Sequence, residues 1–64
     1  MYLVRLTKDN CSQYLGYEIL FKTRNKYIIK TILAINKCSV KIKHPDLNNN
    51  VEFVSRKVFV LITK

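Results

Sequence analysis

Apolar and polar positions alternate with period two along most of this chain, and short polar stretches interrupt the alternation. Period two sends successive side chains to opposite faces, so each run predicts a half-buried β-strand. The first run puts Tyr2, Val4 and Leu6 on one side and Leu3, Arg5 and Thr7 on the other. Lys8 to Gln13 is polar, and Asp9-Asn10 is placed to open one helical turn that Gly16 closes. A second strand runs from about Tyr17 to Thr23, with Ile19 and Phe21 on one face. Arg24-Asn25-Lys26 reads as a tight turn with Asn25 as its left-handed residue. Tyr27 to Ile35 is a third strand, partly apolar on both faces, with Ile29 and Leu33 assigned to the core. Asn36-Lys37 is a turn, after which Cys38, Val40 and Ile42 point in and Ser39, Lys41 and Lys43 point out. His44-Pro45-Asp46 ends that strand, because proline has no N–H for a central ladder. Asn48 to Asn50 is a loop tip, residues 51–54 a short strand, Ser55-Arg56-Lys57 a turn and residues 58–63 a last strand. The expected core is Ile19, Phe21, Ile29, Leu33, Val40, Ile42, Phe53, Val58 and Val60.

Ile28, Ile29, Ile32 and Ile35 would also fit a helical stripe. The wealth of β-branched residues there and the lack of a clean N-cap favour strand. Sixty-four residues make a single domain, 1–64, which is too short for two full sheets in a sandwich. Closing into a small barrel removes most free edges. The order Gly16 to Phe21, then Ile28 to Ile42, resembles the SH3-like small barrels of the Tudor and KOW kinds, and Ser55 to Val60 is similar to the short turn before their closing strand. The expected fold is therefore all-β, an antiparallel SH3-like barrel of five or six strands with one short helical turn.

Charge changes the picture more than composition does. Twelve Lys and Arg stand against four Asp and Glu, a formal net charge of +8. Between Glu18 and Asp46 lie Lys22, Arg24, Lys26, Lys30, Lys37, Lys41 and Lys43 and not one carboxylate. These cations sit on the alternating runs, so they belong to a folded surface, and the chain is too apolar for a disordered basic peptide. A basic β surface selects a polyanion, and nucleic acid is the commonest. Lys, Asn and Ile make about a third of the chain, a bias that A/T-rich genomes impose without regard to function, which weakens the argument from lysine.

Catalytic chemistry has little to stand on. The carboxylates Asp9, Glu18, Asp46 and Glu52 show no paired spacing, and the single glycine excludes a phosphate-cradling loop. Cys38 and His44, six residues apart on one strand, would lie roughly 20 Å from each other. Cys11 and Cys38 form neither a CxxC pair nor half of a zinc site, for which His44 is the only further nitrogen ligand. We expect no enzyme, no metal and no cofactor. The first residues lack the apolar core of an export signal, so two reduced thiols and an intracellular location are expected: cytoplasm, host cell or virion. No apolar run is long enough for a membrane span.

The functional expectation is a small basic nucleic-acid-binding protein that grips phosphate with little preference for sequence, DNA or RNA. Lys22, Arg24, Lys26, Lys30, Lys41 and Lys43 would hold the backbone, and Tyr27, with Tyr14 and Tyr17, would offer rings for stacking. Lysine outnumbers arginine nine to three, which favours phosphate contact over bidentate base readout. The alternative is a protein–protein module or a structural accessory subunit, viral or phage, with no nucleic-acid role. The apolar terminal strands leave homo-oligomers open under either reading.

Overall fold

The computed structural model describes residues 1–63. The described residues form seven strands and two short 3-10 turns: β1 (Tyr2–Arg5), β2 (Glu18–Thr23), β3 (Lys26–Thr31), β4 (Ala34–Ile35), β5 (Ser39–Lys41), β6 (Asn50–Glu52) and β7 (Val58–Ile62). The 3-10 turns are Cys11–Gln13 and Pro45–Leu47. The protein is all-β, and every ladder is antiparallel. One sheet has the order β1-β7-β2-β3 and the other β4-β5-β6.

The two sheets share a core of Leu6, Cys11, Ile19, Phe21, Ile32, Val40, Ile42, Val51, Phe53, Val58 and Val60. Most of these side chains come from β2, β5, β6 and β7 and the residues that continue them, while Leu6 follows β1, Cys11 lies in the first 3-10 turn and Ile32 follows β3. Alternation marks β5 and β6 most clearly, because the neighbours of Val40 and Val51 are polar, whereas β7 is apolar at all five positions.

The third strand departs from expectation. Ile29 is 51% exposed and Leu33 60% exposed, where both were assigned to the core. The cause is the length of the turn. Strand pairing closes at Thr23↔Lys26, so Arg24 and Asn25 alone form the loop and Lys26 is already in the ladder. That register sets Phe21 opposite Ile28 and Ile19 opposite Lys30. Directly opposed residues share a face, so Ile28 and Lys30 turn inward and Ile29 turns out. A three-residue loop would have put Ile29 opposite Phe21. Arg24, with φ of 51°, takes the left-handed conformation expected of Asn25. Positive φ at the first central residue alone matches the II′ family of hairpin turns.

The expected third strand is also broken. The Ile32 N–H donates to the Tyr17 carbonyl at 2.8 Å, and the next N–H, of Leu33, donates to the Lys41 carbonyl at 2.8 Å. The chain thus leaves one sheet and joins the other between consecutive residues. Ile32 takes the inward position at this bend, and Leu33 is left outside. The break raises the strand count to seven.

Barrel closure is not found: among the described residues no ladder joins β1 to β6. The side chain of Asn10 supplies a reason. Leu6 donates to the Val58 carbonyl on the β7 side, so Arg5 and Thr7 direct their backbone groups to the opposite edge. There Asn10 Nδ2 donates to the Arg5 carbonyl at 2.9 Å, and its Oδ1 accepts the Thr7 N–H at 2.8 Å. One carboxamide occupies the edge that a closing strand would need. A cleft of about 290 Å³ remains between residues 5–8 and Phe53-Val54. Asn10 precedes the Cys11–Gln13 turn but makes no side-chain cap to it, and Gly16 supplies positive φ of 86° three residues after the turn ends.

Candidate functional site

The β2–β3 hairpin and the Pro45–Leu47 turn face each other across a groove of about 790 Å³. Thr23, Arg24, Asn25 and Lys26 form one wall, His44, Asp46 and Leu47 the other, and Ile28 lies between them. The hairpin wall is set by the two-residue loop, which places Arg24 and Lys26 at the rim. The opposite wall is set by an asparagine-rich turn. Asn49 Oδ1 accepts the His44 N–H at 2.8 Å, and the His44 carbonyl accepts from Leu47 and Asn49, both at 3.0 Å. Asn48 and Asn49 stand at φ of 56° and 57°, the left-handed region that Asn tolerates. Within the Asn48-Asn49-Asn50 run read as a loop tip, Asn49 thus clamps His44, and Asn50 opens β6.

Aromatic and cationic groups meet around Phe21. The His44 ring lies 6.5 Å from that of the buried Phe21, and the Arg56 guanidinium is 6.0 Å from the same ring. Sequence reasoning missed both His44 and Arg56 as parts of one surface. His44 read as a strand end and Arg56 as a turn residue, and no spacing between residues 44 and 56 announces that they flank Phe21.

The expected basic stripe is divided among three surfaces. Arg24 and Lys26 line the groove. Lys30 lies on the face of β3 that carries Lys26 and Ile28, half-buried, and Lys43 is exposed beside His44. Lys22 and Tyr27 are directly opposed on the other face of the hairpin. There Lys22 Nζ lies 5.6 Å from the centre of the Tyr27 ring, which is 70% exposed. Lys41 is exposed on β5, opposite Ala34 and Asn50, on the outside of the second sheet. Tyr14 and Tyr17 pack edge to face against each other at 5.3 Å, and Tyr14 also packs on the core. Tyr14 is therefore not free to stack on a base.

Asp46 is the single carboxylate of the groove, so the groove is basic without being uniformly so. Cys11 is buried and Cys38 half-buried, both as free thiols, with Cys11 Sγ 3.7 Å from the Lys8 carbonyl oxygen. Among the described residues no three of His, Cys, Asp and Glu gather into a metal-holding group, and no helix is long and apolar enough to cross a membrane. Comparison with known proteins finds no matching family model, no matching curated protein and no matching solved structure.

Proposed function

We propose that this protein binds nucleic acid through phosphate contacts in the groove between the β2–β3 hairpin and the Pro45–Leu47 turn. The observation that carries the reading is the convergence of Arg24, Lys26 and His44 on that groove, with Lys30 on the face of β3 that carries Lys26 and Lys43 next to His44 in the chain. Four carboxylates cannot give each of twelve Lys and Arg its own partner, so the chain presents uncompensated cations to any polyanion. Binding is weak, indifferent to sequence and non-catalytic, since lysine meets phosphate as a point charge.

The experiment is a salt titration of binding to labelled single-stranded and duplex oligonucleotides, followed by fluorescence anisotropy. With about four phosphate contacts, log K falls against log salt with a slope near −3 to −4. The double substitution Arg24→Gln and Lys26→Gln flattens the slope by about two units and weakens all sequences alike. No binding at low salt by the folded protein removes the reading.

One observation favours the alternative, an interaction or accessory subunit: the outer face of the four-stranded sheet is apolar. Leu3 is 46% exposed there and Ile29 51%.

A further inference from the structure

Strand alternation and register lay out the outer face of the four-stranded sheet. Arg5, Phe59, Leu20 and Ile29 form a row across all four strands, with Leu3 opposite Leu61 to one side and Lys22 opposite Tyr27 to the other. An antiparallel sheet with one face in a core usually turns polar residues to water on the other. Here the centre of the outer face is Leu20, Ile29, Phe59 and Leu61, of which Ile29 is exposed and the other three half-buried. A contiguous apolar patch on the outer face of a small sheet is a candidate contact surface.

The distribution of charge says which partner. The strand residues of this face carry Arg5, Lys22 and Glu18, a net +1 of the formal +8. Polyanions and acidic proteins are drawn to the other surfaces, where nearly all the excess charge lies. A second copy is the occupant that suits a nearly neutral, apolar face. Two such faces meet on their least repulsive sides and leave both basic grooves outward. Flat sheet faces pack at about 10 Å with interdigitating side chains.

We propose that the protein forms a reversible homodimer through this outer face, a reading independent of nucleic-acid binding. Four strands about 4.8 Å apart and roughly five residues long give a flat footprint on the order of 300 Å² before side-chain relief. That falls below the about 800 Å² per partner of a standard complex, which makes the dimer weak and concentration-dependent.

Sedimentation equilibrium of the intact protein from about 10 µM to about 1 mM tests it. The mass average is expected to rise from 7.6 kDa towards twice that value. Added salt screens the mutual repulsion of the two copies and strengthens the dimer, whereas it weakens any nucleic-acid complex, so the two readings fail separately. Ile29→Lys is expected to weaken self-association at least tenfold, and Leu3→Lys, at the sheet edge, gives a second probe if the first variant loses its fold. Leu33→Lys, on an equally exposed residue outside this face, leaves association unchanged. A mass of 7.6 kDa throughout the range overturns the proposal. So does undiminished association in the folded Ile29→Lys and Leu3→Lys proteins, or equal loss in Leu33→Lys.

Discussion

Replacing Ile32 and Ile29 by valine, one at a time, tests the register of the β2–β3 hairpin. Each substitution removes one methylene and keeps the β-branched side chain, so strand propensity is nearly constant. Ile32 is 1% exposed and packs in the core. Its loss forfeits about 0.8 kcal/mol of transfer free energy and leaves a small void, for a cost of about 0.5–1.5 kcal/mol. Ile29 is 51% exposed, so its lost methylene was half in water already and leaves no cavity. We expect a cost below about 0.4 kcal/mol there. In a domain of this size each kcal/mol moves the melting temperature by about 4–8 °C. Thermal melts followed by circular dichroism at low micromolar concentration, where self-association does not contribute, should show Ile32→Val falling by several degrees. Ile29→Val should stay within about 3 °C of the parent. Under a three-residue turn the two residues exchange faces and the order of the two variants reverses. A larger loss from Ile29→Val would therefore refute the two-residue loop and the outer face built on it.

Val40 is fully buried opposite Ile35 and Val51, and Val40→Asp leaves an unpaired charge there at a cost of several kcal/mol. That is comparable to the whole stability of about 3–10 kcal/mol expected for such a chain, so the variant should show no cooperative melt. Arg24→Gly relieves a left-handed residue that costs about 1–2 kcal/mol, less the greater unfolded freedom of glycine, and should stabilise the domain by up to about 1 kcal/mol in urea titration. The same change removes one phosphate contact, so the salt slope of binding should flatten by about 0.7–0.9; a stabilised variant with an unchanged slope would take Arg24 out of the interface. Asp46→Asn removes the one carboxylate of the groove and should tighten nucleic-acid binding at low salt, with the difference fading as salt rises; weaker binding would place the ligand elsewhere.

Much of the fold was legible in the order of the residues. Ile19, Phe21, Val40, Ile42, Phe53, Val58 and Val60 were assigned to the core and are buried. Leu6, Cys11, Ile32 and Val51 complete that core without having been assigned to it. Leu6 and Val51 lie at or beside the ends of short strands, where alternation is too brief to weigh, and Cys11 lies in a 3-10 turn with no strand period at all. The site was less legible. Its basic residues were named, but pairing decides whether Lys22 and Lys26, four residues apart across a turn, share a surface. They do not, because the turn between them reverses the chain and the two side chains leave opposite faces of the hairpin.

The sequence by itself determined an all-β antiparallel fold and the buried face of every strand with only one apolar side. Burial needs nothing beyond the strand's own alternation to choose that face. Tertiary structure decided the rest. Tyr27 to Ile35 is apolar on both faces, so its own pattern was silent, and the loop Arg24-Asn25, one residue shorter than expected, set the register that turned Ile28 in and Ile29 out. Because the side-chain period is two, one residue of loop length exchanges an entire face. That exchange sent Lys26 towards the groove with Arg24 and His44 and left Lys22, Tyr27 and Ile29 together on the apolar outer face.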